Sequence, residues 1–333
     1  MFGIKSSARR GKCVAPLIGG ALLLCSLTVS TVFAQAYPSK LMKFIIPFAP
    51  GGSTDIAGRL VASEMSSILG QPIVVENRAG AAGNIGIEAV VRSSPDGHTF
   101  GFSGMGPSVL THIAGPKPPF GLKELIFAGH GGLVELMIVG HSGVAYGDIR
   151  QLVMAAKASP GKISYAHGGT GSPAHLAFEL FKSMAGVDMP AISYKGDGPA
   201  VIDIVGGQVV VGSISVAGAM AQVQAGKLKA IAVGSPVRSP ALPNIPTVAE
   251  AGIPGYEAGT FNMVVLPAGT PSSYVDRLNA ALNETMRKPV VRDRYIQLGI
   301  VPVINTPQQA ADFVSRELAK WARVIRDANI QMQ

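Results

Sequence analysis

The segment that most constrains this 333-residue chain runs from Lys43 to Gly70, KFIIPFAPGGSTDIAGRLVASEMSSILG. Phe44, Ile45 and Ile46 form a short apolar run suited to a buried strand, and Pro47, Pro50, Gly51 and Gly52 then break it. Ser53, Thr54 and Asp55 follow, residue types whose side-chain oxygens accept from the free N–H groups of a helix's first turn, so Ser53 or Thr54 is expected as the N-cap. Ala57, Val61, Met65 and Ile68 recur at helical spacing, and Gly70 with Pro72 closes the helix. A strand, a glycine-rich loop and a helix in this order present backbone N–H groups where the helix dipole is positive. That is a seat for a carboxylate or phosphate that needs no charged side chain.

The pattern recurs. A strand over 73–75, the loop Gly80-Ala81-Ala82-Gly83, a helix capped by Asn84, a strand over 99–102 and the loop Ser103-Gly104-Met105-Gly106-Pro107 complete a βαβαβ unit. Such a unit predicts a parallel sheet with right-handed crossovers, and its loops fall at the carboxyl ends of strands, where open α/β sheets bind ligands. A second unit begins with a strand over 163–166 and the loop His167-Gly168-Gly169-Thr170-Gly171, with Ser172 as N-cap and Pro173 as first helical residue. It continues through a strand over 191–194, the loop Lys195-Gly196-Asp197-Gly198-Pro199, a short helix, a strand over 208–211, a helix over 216–224 and a strand over 229–233. Two sheets of this kind imply a ligand held between two lobes. Helices over 271–287, 290–298 and 307–327 end the chain and are expected to pack on the first lobe.

Residues 1–36 stand apart. Lys5, Arg9, Arg10 and Lys12 precede an apolar run over 14–33, and Ala34-Gln35-Ala36 satisfies the small-x-small cleavage rule, so the segment reads as a secretory signal cut near Ala34 or Ala36, with a periplasmic product. Pro16, Gly19 and Gly20 interrupt the run and count against a transmembrane anchor. Both cysteines, Cys13 and Cys25, lie inside it, which leaves the mature chain neither a disulfide nor a thiol nucleophile. The balance of 28 Lys and Arg against 20 Asp and Glu falls to 24 against 20. Without a basic cluster or interleaved aromatics, nucleic acid is not an expected partner.

Longer stretches resemble the Bug-type extracytoplasmic solute receptors of tripartite tricarboxylate transporters. The matching segments are IIPFAPGGSTDIAGRL at 45–60, GQPIVVENRAGAAGNIG at 70–86, SPDGHTF at 94–100, PGKISYAHGGTGSPAHLAFELFKSMAGV at 160–187, YKGDGPAVIDIVGGQV at 194–209, AGKLKAIAV at 225–233, SPALPNIPTVAEAGIPGYEA at 239–258 and PAGTP at 267–271. The resemblance implies an α/β, two-lobed periplasmic binding protein of the type II Venus-flytrap kind, each lobe a mainly parallel sheet flanked by helices. Lobe 1 would be 37–139 plus 258–333 and lobe 2 140–257, with the ligand cleft between them. It implies a monomer without cofactor, metal or catalytic residues that captures a small organic carboxylate and delivers it to separate transmembrane permease subunits, not spanning the membrane itself after signal removal. The expected ligand contacts are Phe48, Pro50, Gly51, Gly52, Ser53, Thr54 and Asp55 from the first loop, Gly104 and Gly106 from the third, Gly169, Thr170, Gly171 and Ser172 from the second lobe, and Asp197. The chain departs from the family where Phe261-Asn262-Met263 stands for a frequent Trp-Phe-Gly, and where His167-Gly168 replaces Ser-Ala. No relative's ligand transfers directly across such changes.

Sharper motifs fall short. Gly169-Thr170-Gly171-Ser172-Pro173-Ala174 fits G-x-G-x-x-A, but Tyr194-Lys195 stands where a dinucleotide site needs an acidic residue. Gly140-His141-Ser142-Gly143-Val144 lacks the last glycine of a nucleophile elbow. The six histidines never pair at metal-ligand spacing, and His175 reads as a structural residue. Asp55 fits helix capping and ligand contact equally, and Asp203 reads as structural. An exported hydrolase would need a pair such as Ser172 with His175, but a capping serine already commits its oxygen to the backbone. A receptor acting on a membrane signalling partner has the same sequence pattern as one that feeds a permease. Asp197 has two orientations open to it: inward, where it would repel a second ligand carboxylate, or outward, as cap of the helix near Pro199.

Overall fold

The computed structural model describes residues 37–114, 118–327 and 330, so the segment read as an export signal and its cleavage site lie outside the described residues. In chain order the elements are β1 (Met42–Ile46), α1 (Ser53–Leu69), β2 (Ile73–Asn77), α2 (Asn84–Val91) and β3 (Thr99–Gly104). A π-turn at Gly106–Leu110 and the short α3 (Thr111–Ile113) lead to β4 (Leu125–His141). Next come α4 (Ile149–Ala158), β5 (Tyr165–His167), α5 (Pro173–Ala185), β6 (Ala191–Ser193), α6 (Asp197–Val205), β7 (Val211–Ser215), α7 (Val216–Gln224) and β8 (Leu228–Val233). The chain ends with β9 (Gly259–Pro267), α8 (Ser272–Arg287), α9 (Pro289–Gln297), β10 (Ile300–Val301) and α10 (Pro307–Asp327).

β1 obeys the two-residue period of a strand covered on both sides. Met42, Phe44 and Ile46 are buried with Ala57, Val61 and Met65 of α1, whereas Ile45 joins Ile87 and Val90 of α2 in a different cluster. The predicted parallel units are present as β2-β1-β3 and β6-β5-β7. Between them the sheet is antiparallel: β9 pairs with β3 and β4, and β4 pairs with β7 and β8. The sheets are therefore mixed, three parallel strands in each half joined through antiparallel ones.

β4 belongs to both halves. Leu125 to Glu135 pair with β9, and Leu136 to Gly140 pair with β7. The apolar pattern hides this strand because Gly129, Gly131 and Gly132 interrupt it. They sit where the register shifts, and a Cβ on Gly131 would stand 1.9 Å from the Phe102 ring. β7 likewise lies at Val211–Ser215 rather than over 208–211. Its Gly212 must be small, since a Cβ there would meet Ile204 Cδ1 at 2.4 Å, and no strand is expected from the sequence beyond Val211.

The C-terminal helices fall close to their expected spans. Val275, Leu278 and Leu282 of α8 share the α1 cluster. α10 packs more widely than on one half alone: Trp321 and Val324 join Phe178 and Phe181 of α5 in one buried cluster. No helix among the described residues is long and apolar enough to cross a membrane.

Candidate ligand-binding site

The carboxyl ends of β1, β3 and β5 converge on a cavity of about 810 Å³, a size suited to a small ligand. Ten expected residues line it: Phe48, Ser53, Thr54, Gly104, Gly106, Gly169, Thr170, Gly171, Ser172 and Asp197. Pro50, Gly51, Gly52 and Asp55 do not. Unexpected wall residues include Ala81, Ala82 and Asn84 from the β2–α2 loop, Ser215, and Thr260, Phe261 and Asn262 at the start of β9. The first group carried a signal, since its glycine loop ends a parallel strand at the same sheet edge; β9 carried none beyond its departure from the family pattern. Among the described residues no Lys, Arg or His lines the cavity, and Asp197 is the one ionisable residue on its wall.

The β1–α1 loop holds its shape from behind. The N-cap is Gly52, with φ −74° and ψ 165° and no side-chain cap, so neither Ser53 nor Thr54 caps the helix. Asp55 turns back instead: Oδ2 accepts from Gly51 N–H at 2.9 Å and from Arg59 Nε at 3.0 Å, and Oδ1 accepts from Asn77 Nδ2 at 2.7 Å. Burial pushes the Asp55 carboxyl up, but the bonds from Arg59, Gly51 and Asn77 outweigh it and hold the group below its usual range. Asp55 is thus a brace and stands behind the wall. With no cap, the first-turn N–H groups of Ser53, Thr54 and Asp55 have no acceptor among the described residues.

The β5–α5 loop answers more of its own donors, leaving only the Thr170 and Ala174 N–H groups of its 169–175 segment without an acceptor among the described residues. Gly171 N–H donates to His175 Nδ1 at 3.1 Å, Ser172 N–H to Gly169 O at 3.0 Å, and His175 N–H to Ser172 Oγ at 3.2 Å, while Pro173 at the first helical position has no N–H. His167 Nδ1 stands 2.9 Å from Gly169 O and 3.2 Å from Gly169 N, so its ring supports that peptide in either tautomer. The two imidazoles stack with centroids 4.4 Å apart. Burial, then the neighbouring His175, lowers His167 to about 4, and burial also lowers His175. His175 Nδ1 faces Gly171 N–H and Nε2 lies 3.9 Å from Glu179, so no ring nitrogen is aimed at the Ser172 hydroxyl as a general base would be.

Asp197 does not cap α6. That helix starts at Asp197 itself, with Gly196 as an N-cap without a side-chain bond, because the carboxylate reaches across to α7: Oδ2 accepts from Ser215 N–H at 3.2 Å and from Ser215 O–H at 2.5 Å. Ser215 Oγ in turn caps α7 by accepting from Gly218 N–H at 3.1 Å.

Two fully buried side-chain atoms of wall residues lack partners among the described residues, Asn84 Oδ1 and Asn262 Nδ2. Thr111 Oγ1–H donates to Gly106 O at 2.9 Å, so that oxygen accepts from Asn84 Nδ2 at 3.2 Å, which leaves Oδ1 as the free atom. Among the described residues no group of three His, Cys, Asp or Glu side chains is arranged for a metal ion.

Comparison with known proteins agrees with this geometry. A family model described as the tripartite tricarboxylate transporter family receptor matches residues 57–330. The protein BugT of Bordetella pertussis is 34% identical over 316 residues, covering 94% of this chain and 97% of BugT. A Rhodopseudomonas palustris protein solved with adipate is 29% identical with a TM-score of 0.78, over 89% of this chain and 99% of that one. The periplasmic binding protein BugD is 32% identical with a TM-score of 0.74, over 89% of this chain and 100% of that one. The two-lobed α/β binding-protein fold expected from the sequence is the one observed.

Proposed function

Because the chain belongs to the tripartite tricarboxylate transporter receptor family, we propose that it is a periplasmic solute-binding protein that captures a small carboxylate in this cavity, without turning it over, and passes it to separate permease subunits. The observation that carries the reading is the bare N-terminus of α1: Ser53 and Thr54 line the cavity, and their N–H groups have no protein acceptor among the described residues. An anion is the ligand class that suits such donors where, among the described residues, no cationic side chain lines the wall. The adipate complex of a relative supports the same class. Micromolar affinity takes about 8 kcal/mol, a helix N-terminus supplies about 0.3–1 kcal/mol and each charge-assisted hydrogen bond about 1.5–3 kcal/mol, so the ligand must also engage other wall groups. Asn262 Nδ2 and Thr170 are candidates for that role.

A thermal-shift screen of protein recovered from the periplasm, against mono- and dicarboxylates and their neutral amides, tests the reading. Carboxylates are expected to raise the melting temperature and amides to leave it unchanged. Stabilisation by amides alone refutes an anion seat, product found by mass spectrometry after incubation refutes binding without turnover, and an N-terminus still at Met1 refutes export with cleavage.

A further inference from the structure

The cavity has a donor side and an acceptor side, and the acceptor is built into the chain. Asp197 is wedged between two glycines: a Cβ on Gly168 would stand 2.9 Å from Oδ1, and one on Gly218 would stand 2.9 Å from Oδ2. Both positions must be glycine for the carboxylate to sit where it does. Its Oδ2 takes the N–H and the hydroxyl of Ser215 at the start of α7, donors that otherwise would be open to an anion from outside. Oδ1 accepts from no described group, no cation pairs with the carboxylate among the described residues, and Asp197 lines the cavity. In this half the protein's own carboxylate stands where a ligand's second carboxylate would have found donors. Across the cavity, Ser53 and Thr54 N–H remain free.

We infer that Asp197 sets the ligand class: the cavity takes a monocarboxylate whose other end carries a hydrogen-bond donor, an ammonium or a hydroxyl group, and discriminates against dicarboxylates of the same length. This rests on the carboxylate reading above and adds the ligand's orientation. The carboxylate lies at the N-terminus of α1 and the donor end meets Asp197 Oδ1. A second carboxylate would face a fixed like charge without a compensating cation, a repulsion that weakens its binding relative to a matched acid with a donor end.

Isothermal titration with matched acids tests this: succinate against γ-aminobutyrate and γ-hydroxybutyrate, adipate against ε-aminocaproate, and a wider panel of carboxylates beside them. In the unaltered protein the amino or hydroxy acid should bind at least about tenfold more tightly than its matched dicarboxylate, the amino and hydroxy arms showing whether charge or only a donor is required. Asp197→Asn keeps an oxygen for Ser215 and removes the charge, and should close that gap by about tenfold; Asp197→Ser repeats the test without the carboxamide, and melting curves confirm that each variant is folded. Dicarboxylates binding the unaltered protein as tightly as their partners, or a gap that persists in a folded neutral variant, overturns the role of Asp197 while leaving carboxylate binding intact. Failure of every carboxylate in the panel overturns the parent reading and this one with it.

Discussion

The β1–α1 and β5–α5 loops begin from the same materials: a buried strand, a run of glycines with hydroxyl residues, and a helix whose N-terminus reaches the cavity. They differ in who owns the N–H groups. In the first, Asp55 of the first helical turn reaches backward to Gly51, and α1 starts with no side-chain cap. In the second, Ser172 caps α5, Pro173 removes a donor and His175 takes the Gly171 amide. Two glycine-rich strand–loop–helix motifs therefore differ as anion seats by how many donors the protein answers itself: α1 keeps all three first-turn N–H groups open, whereas the second loop keeps those of Thr170 and Ala174.

Four measurements break or sharpen that contrast. The largest effect concerns the imidazole under the second loop. His167 is held at about 4 in the folded chain against about 6.5 when unfolded, chiefly by burial and then by His175. As pH falls the unfolded chain therefore binds the proton first: the stability is complete above about 6.5, declines across the window down to about 4, and the loss levels off at about 3 kcal/mol. His167→Gln should flatten the pH dependence of urea unfolding in that window, and a slope equal to that of the unaltered protein would remove His167 as its source.

Next comes the brace of the first loop. Asp55→Ala strands Gly51 N–H and one Asn77 donor, and with Arg59 half exposed the loss should be about 2–3 kcal/mol in denaturant melts. A cost below about 0.5 kcal/mol would show the loop stands without it.

Ser53→Pro then probes binding alone. Gly52 before it is extended, proline is favoured at the first helical position, and Pro173 already occupies that place in α5, so stability should change little while one cavity-facing N–H and one hydroxyl are lost. Affinity for carboxylates should drop about tenfold to a hundredfold. Unchanged titrations would mean that the ligand does not sit on α1, and the asymmetry between the loops would carry no function. The smallest effect belongs to Thr170→Ala, whose exposed hydroxyl meets only Ser193 at 3.2 Å; its stability should stay within about 0.5 kcal/mol of the unaltered protein.

Much of this was legible from residues alone. The period of two in Phe44 to Ile46, the helical spacing from Ala57 to Ile68 and the Ser172-Pro173 start of α5 gave elements close to those found. Ser53 and Thr54 are residue types able to cap, but the cap falls where the backbone turns from extended to helical, and Gly52 holds that place. β4 and β7 escaped because their glycines answer to Phe102 and Ile204, residues remote in the chain, and not to local pattern. The outward alternative for Asp197 failed for a related reason: its partner, Ser215, lies 18 residues away on another strand end.

What this sequence determined by itself was the set of repeating strand–loop–helix units, their parallel pairing and the family, since periods of 2 and 3.6 residues and turn chemistry act over a few neighbours. What only the tertiary structure decided was which loop donors stay free and where the cavity carboxylate of Asp197 is fixed. A buried hydrogen-bonding group is answered by whatever the fold brings within about 3 Å, Asn77 from β2 for Asp55 and Ser215 from β7 for Asp197, and that assignment exists only once separate elements have packed together.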